Sequence, residues 1–333
     1  MTVKFAILGA GRIGKVHAGA VASVPGASLV AIADPMPDAA QAIKDAYGCD
    51  IRSIDAIEAS ADVDAVVICT PTDTHADLIE RFVRAGKAVF CEKPVDLSLA
   101  RVKDCIAAVE AAKGTLMVGF NRRFDPDFMA VKAAIDAGRV GKVEMVTITS
   151  RDPGAPPPEY ITRSGGMFRD MTIHDFDIAR WLLGEEVTEV FASASVLVDQ
   201  RIGALGDFDS ANVILRTASG TQAIITNTRR AAYGYDQRIE VLGSEGLASA
   251  ENHGENRITL ADKTGFHTAP LLNFFMSRYT AAYANEIAAF VASVAEGAPT
   301  PTTGHDGLMA LALAEAALKS VAEGRMVKVS EVL

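Results

Sequence analysis

The sequence predicts an α/β chain: a doubly wound parallel sheet, followed by an α+β domain with a large, open-faced and mostly antiparallel sheet. Three observations carry this. Gly9-Ala10-Gly11-Arg12-Ile13-Gly14 stands where the apolar run Val3 to Leu8 gives way to the helical spacing of Val16, Ala20 and Val21. Strand-like and helix-like segments then alternate up to about residue 120, the rhythm of a parallel sheet. Beyond Val140, four strand-like segments follow one another without helices between them, which calls for antiparallel pairing.

Each element follows from local chemistry. In the glycine run, Gly9 allows the tight turn, Gly11 lets a pyrophosphate approach the backbone, and Gly14 lets helix and strand pack closely. The anion would face unpaired amides at a helix N-terminus, where the helix dipole favours it. A glycine pattern alone is weak; the discriminating partner is an acid about 20 residues on, at the end of the second strand. Ser28 to Ala33 reads as that strand and Asp34 follows it, placed to accept both ribose hydroxyls of NAD, although a solvated acid in the turn Asp34-Pro35 would look the same. Pro37 to Ala46 is helical and ends at Gly48. Ala65 to Cys69 is a buried strand, and Thr74 to Ala85 a helix opened by a Thr-x-x-Asp capping pattern and closed by Gly86. Ala88 to Glu92 is a strand, Ser98 to Lys113 a helix, and Leu116 to Gly119 a strand. Ligands of such Rossmann sheets bind outside the C-terminal strand ends. That rule gathers Gly9 to Gly14, Asp34, Thr70-Pro71, Glu92-Lys93-Pro94 and Asn121-Arg122-Arg123 on one rim.

In the second half, Val143 to Ser150 is a strand, Pro153 to Pro158 a loop and Ile173 to Leu183 a helix. Val187 to Val198, Phe208 to Thr217, Thr221 to Arg229 and Gln237 to Leu242 are strands separated by turn residues such as Ser219-Gly220. Tyr279 to Glu296 and Leu308 to Glu323 are long helices. The expected division is 1–121 for dinucleotide binding and 122–333 for substrate binding and oligomerisation.

Bulk properties exclude several classes. The 333 residues suffice for two cores. Net charge is -10, and with no Lys/Arg run longer than two the footprint of a nucleic-acid binder is missing. No apolar run approaches the ~20 residues of a membrane span. A strand that starts within three residues leaves no room for a secretory leader. The cysteines Cys49, Cys69, Cys91 and Cys105 lack a Cys-x-x-Cys. They read as reduced, buried thiols of a cytoplasmic protein, with neither disulfide nor metal.

Three groups could carry chemistry. Glu92-Lys93-Pro94 reads either as a surface turn or as a fixed ammonium that stabilises a developing alkoxide; the residue before proline is held extended. In Gly165 to Asp177, Asp170 and His174 are four apart, one helical face if the turn before Ile173 is helical. Asp177 lies one turn further, and a carboxylate beside an imidazole suits a general base. Asp170 could equally cap the helix, and His174 with Asp177 form a surface pair. Tyr233-Gly234-Tyr235-Asp236-Gln237-Arg238 could bind a polyol or merely cover a sheet edge.

With these residues assembled, the chain resembles the Gfo/Idh/MocA oxidoreductases over its full length. The resemblance rests on Gly9 to Gly14, Ala33-Asp34-Pro35, Thr70-Pro71 with His75, Glu92-Lys93-Pro94, Gly119 to Asp125 and Gly165 to Asp177; Ser150 to Pro153 and Tyr233 to Gly243 are similar to the inositol 2-dehydrogenase subgroup. It implies that His174 takes the proton of the C2 hydroxyl of myo-inositol, assisted by Asp170, while Lys93 bonds the same oxygen and NAD takes the hydride, giving scyllo-inosose. It implies NAD contacts from Gly9, Gly11, Arg12, Ile13, Gly14, Asp34, Thr70, Pro71, His75, Glu92, Lys93 and Arg123, and a polyol pocket bordered by Arg123, Asp152 and Tyr235. It also implies a Lys93-Pro94 peptide that is often cis, and a homotetramer paired through the open sheet face. A dehydrogenase of another inositol isomer or an aldose, a sugar sensor that binds dinucleotide without turnover, and NAD-assisted glycoside hydrolysis are the rival readings.

Overall fold

The computed structural model describes residues 2–333. It divides into two compact units: the chain up to Phe124 with Thr280–Leu311, and Asp125–Tyr279 with Ala312–Leu333.

The first unit is built on six parallel strands, β1 (Val3–Leu8), β2 (Ala27–Ala33), β3 (Asp50–Ile51), β4 (Ala65–Ile68), β5 (Ala88–Glu92) and β6 (Leu116–Gly119), in the order β3-β2-β1-β4-β5-β6. The central strands are buried along nearly their whole length, which is why they read as unbroken apolar runs. Helices α1 (Arg12–Ser23), α2 (Pro37–Tyr47), α3 (Ile54–Ala59), α4 (His75–Arg84) and α5 (Leu99–Ala111) connect them. Gly48 ends α2 in the left-handed region, and Ser98 accepts from the Arg101 amide to start α5. Thr74 departs from expectation. It makes no side-chain cap on α4, because a 3₁₀ turn over Thr72–Thr74 leaves it in helical geometry and its hydroxyl donates to the Pro71 carbonyl.

The second unit holds α6 (Pro126–Asp136), β7 (Val143–Arg151), α7 (Pro158–Ser164), α8 (Gly166–Asp170), α9 (Thr172–Leu183), β8 (Val187–Ser195), α10 (Gln200–Ala204), β9 (Ser210–Thr217), β10 (Gln222–Thr228), β11 (Asp236–Gly243), β12 (Gly246–Ala250), β13 (Thr259–Asp262), β14 (Gly265–Thr268) and α11 (Phe275–Arg278). Beyond α12 (Thr280–Glu296) and α13 (Gly304–Glu323) it adds β15 (Val327–Lys328). Its seven-stranded sheet runs β12-β11-β7-β10-β9-β8-β15, antiparallel except where β7 meets β10. Helix α9 covers β7 and β10 on one face. Alternation follows: Ala211, Val213 and Leu215 of β9 point inward, Asn212 and Arg216 outward.

The observed units depart from a contiguous division at 121/122: the first boundary falls after Phe124, and Thr280–Leu311, which holds α12 and the start of α13, belongs to the first unit. Helix α12 returns to the first unit, where Phe290 packs on Phe5 and Phe90 and Tyr283 meets the edge of His17.

Candidate active site

The rim of the first sheet is shaped by backbone. Gly9 has φ +99°, and a Cβ there would stand 2.7 Å from the Cys69 carbonyl oxygen. At Gly14 a Cβ would lie 2.0 Å from the Gly9 carbonyl oxygen, so helix and strand touch only because it is glycine. At Gly11 a Cβ would meet nothing within 4 Å, so the backbone lies bare to a ligand. Arg12 is exposed and Ile13 half-buried beside it. Asp34 accepts from the Ala10 amide (2.6 Å) and the Met36 amide (2.7 Å), one on each oxygen. A carboxylate offers about four acceptor sites, so each oxygen keeps one for a ribose hydroxyl. Bare backbone at Gly11 and spare capacity on Asp34 fit a dinucleotide.

The turns after β4 and β5 are tied together. His75 is buried, with Nδ1 at 2.8 Å from the Pro94 carbonyl oxygen and Nε2 at 2.8 Å from that of Thr70. Both ring nitrogens are thus taken by main chain, and His75 supports the rim from below. Thr70 pairs its hydroxyl with Thr74 at 2.6 Å, and Pro71 is exposed. Lys93 is half-buried, and its peptide to Pro94 is cis. Glu92 is buried against His17 at 2.6 Å, again beneath the surface. Arg123 donates to Asp306 at 2.8 Å. All four cysteines are buried thiols, and burial pushes those of Cys69 and Cys91 well above the ordinary thiol range.

In the second unit the turn joining Asp170 to His174 is helical. Met171 lies in the right-handed α region between α8 and α9, which brings the two residues onto one face. Asp170 starts no cap there, and both its oxygens are engaged, one by the Tyr160 hydroxyl (2.9 Å) and one by Arg229 (3.5 Å). The same guanidinium stands 3.8 Å from Asp152. Arg229 therefore bridges two carboxylates that the sequence placed at the site. Asp175 and Asp177 are buried in α9, and Asn227 donates to Asp175 at 2.9 Å and lies 2.7 Å from the Thr172 hydroxyl.

Arg229 and Asn227 escaped the sequence reading. A signal was present: Ala223, Ile225, Asn227 and Arg229 occupy alternate positions and all are buried, so two polar residues continue the inward face of a strand.

The Tyr233 to Arg238 stretch spends much of its chemistry internally. The Tyr233 hydroxyl donates to Asp236 (2.6 Å), and Arg151 donates to Tyr233. Burial alone would raise the Asp236 carboxyl, but hydrogen bonds from Arg238, Tyr233 and Asn252 outweigh it and hold the group below the usual range. Tyr235 is buried, edge-on to Phe274 and Tyr279.

Residues 3–120 match a family described as an oxidoreductase family with an NAD-binding Rossmann fold, and residues 128–249 match the GFO/IDH/MocA C-terminal domain. An inositol 2-dehydrogenase of Rhizobium meliloti is 65% identical, over 99% of this chain and 100% of its own. A myo-inositol 2-dehydrogenase of Thermotoga maritima is 46% identical, over 99% and 100% respectively. Among solved structures, a scyllo-inositol dehydrogenase of Lactobacillus casei holding NAD(H) and scyllo-inositol superposes with a TM-score of 0.92 at 29% identity, covering 99% of this chain and 100% of that one.

Proposed function

The chain belongs to the GFO/IDH/MocA oxidoreductase family, and on that premise we propose that this NAD-dependent oxidoreductase acts on inositol, converting myo-inositol at C2 to scyllo-inosose. The observation that carries the reading is the helical geometry of Met171 between Asp170, at the end of α8, and His174, in the first turn of α9, with Asp170 oriented by Tyr160 and Arg229. His174 takes the hydroxyl proton. Asp170 steadies the imidazolium that results. Lys93 donates to the same oxygen and stabilises the charge that develops as the proton leaves. NAD, when bound, supplies the acceptor for the hydrogen on the carbinol carbon. Gly9, Gly11, Gly14, Arg12, Ile13, Asp34, Thr70 and Pro71 hold it; His75 and Glu92 act on it through the turns they support. Arg123, Asp152 and Tyr235 border the polyol.

Formation of NADH, followed by absorbance, with myo-inositol, scyllo-inositol, other isomers and glucose tests this. Turnover of inositols that is lost in His174→Ala is expected; faster turnover of glucose than of every inositol would overturn the substrate assignment. A second isomer preference has support in the relative that holds scyllo-inositol.

We also place the enzyme in the cytoplasm as a homotetramer. Among the described residues no helix is long and apolar enough to cross a membrane, and the four thiols are unbridged. On the face of the second sheet away from α9, cross-strand partners line up in rows. Met145, Leu242 and Leu247 share one with Gln222 and Arg216, and Phe191, Ile214, Ile224 and Thr147 share the next with Glu240. Met145, Ile224, Leu242 and Leu247 are exposed, an apolar patch on this face suited to a second copy.

A further inference from the structure

We propose that His17, Glu92 and Glu286 form a buried support for Lys93, in which Glu286 is a neutral carboxylic acid. The cluster lies inside the first unit. His17 comes from α1, Glu92 from the last position of β5 and Glu286 from α12, and one nitrogen or oxygen of each lies within 4.8 Å of the others. His17 and Glu286 are fully buried, and Glu92 nearly so. Neither oxygen of Glu286 finds a hydrogen-bond partner among the described residues.

Two carboxylates this close in a dry interior do not both ionise; one keeps its proton. The hydrogen bond decides which. His17 Nε2 stands 2.6 Å from Glu92 Oε1, so Glu92 has a partner while neither oxygen of Glu286 has one, and the proton stays on Glu286. Burial, and then the charge of Glu92, push the Glu286 carboxyl well above its ordinary range. Cys69 after β4 is a buried thiol, the β1 residue in ring contact with α12 is Phe5, and the turn at 121–124 packed on α12 carries Arg122 and Arg123, the latter paired with Asp306. A divalent cation suits the donor types less well than their spacing. Nitrogen and oxygen ligands at about 2.0–2.1 Å in tetrahedral array stand about 3.3 Å apart, whereas His17 and Glu92 are at hydrogen-bond distance.

The functional consequence runs through the chain. Glu92 precedes Lys93, so whatever fixes Glu92 fixes the turn that presents the ammonium. Glu286 and His17 are positioning residues in this account. It rests on the dehydrogenase reading for its kinetic arm only.

The test uses the full-length enzyme. Wild type should show the infrared carbonyl stretch of a protonated, water-shielded carboxyl at pH 7, absent in Glu286→Gln. The gain in Tm of Glu286→Gln over wild type should grow as pH rises from 5 to 9. The folded chain holds a proton that the unfolded chain gives up, so wild-type stability is lost with rising pH through the raised titration while the amide has nothing to lose. In NADH formation from myo-inositol, Glu286→Ala should lower kcat at least tenfold and Glu286→Gln should restore it to within about twofold. Absence of the infrared band with a flat Tm difference would overturn the proposal, as would equal loss in the Ala and Gln variants. Stoichiometric metal in the purified protein, removed by chelation with a fall in Tm, would replace it with a cation site. A wild type that reduces no NAD with any inositol would defeat the substrate reading and leave the infrared and melting results standing.

Discussion

Replacing Arg229 with methionine should destabilise the second unit by several kcal/mol. The guanidinium is almost fully buried, 3.5 Å from Asp170 and 3.8 Å from Asp152. Unit charges at those separations attract by about 4.7 and about 4.4 kcal/mol at an effective dielectric of about 20. Desolvation of three charged groups offsets much of this when the site forms. Deleting the cation alone is different, because two carboxylates then share a largely buried site without a counter-charge, at a cost of about 3–5 kcal/mol. Methionine keeps the apolar stem, so little of the loss is packing. Urea unfolding of Arg229→Met, Asp152→Asn and the double variant gives a cycle. Asp152→Asn should destabilise wild type but be neutral or stabilising beside Arg229→Met, with a coupling of at least about 1 kcal/mol. If about 2 kcal/mol of the lost interaction serves to hold Asp170, kcat/KM falls about 30-fold. A coupling under about 0.5 kcal/mol would refute the bridge as an energetic unit.

Other outcomes follow from the same geometry. Lys93→Met should fold and bind NAD but lower kcat and kcat/KM together by ~10²-fold, the pattern of a group that acts in the transition state; near-normal turnover would return Lys93 to a surface turn. His174→Ala should lower kcat by roughly 10²–10⁴-fold and remove the lower-pH limb of the rate profile, with NAD affinity little changed. Asp34→Ser should narrow the preference for NAD over NADP, read as the ratio of the two kcat/KM values, since a 2′-phosphate no longer meets a like charge. Asp209 is buried, and although burial opposes it, the amides of Leu197, Val198 and Asp199 with the Ser210 hydroxyl hold its carboxyl below the usual range. The stability advantage of wild type over Asp209→Asn should therefore be constant above about pH 5 and shrink as pH falls below about 4, in urea unfolding at each pH.

What the sequence made legible was local. The glycine run, Asp34 and the alternation of strands and helices depend on neighbours a few residues apart, and the structure places them as read. Asp170 and His174 are four positions apart, and the structure sets them at the end of one short helix and in the first turn of the next. What escaped depends on distant partners. His17 and Glu92 are 75 positions apart and Arg229 meets Asp170 across 59, so neither pair leaves a periodic trace. The resemblance implies that His75 and Glu92 touch NAD, and the strand-end rule puts Glu92 on the rim, yet both side chains turn inward, to the Thr70 and Pro94 carbonyls and to His17. Position at a strand end marks the rim; it does not say whether a side chain faces out of it or braces it.

The return of α12 has a consequence for how the chain is made. Phe290 completes an aromatic cluster begun by Phe5 and Phe90, so the first unit lacks part of its core until α12 has been made. At ~5–20 residues per second, the 166 positions between Phe124 and Phe290 delay that completion by roughly 10–30 s. During this interval the nascent sheet lacks the Phe290 ring that packs on Phe5 and Phe90. The last third of the chain is thus also the event that closes the first.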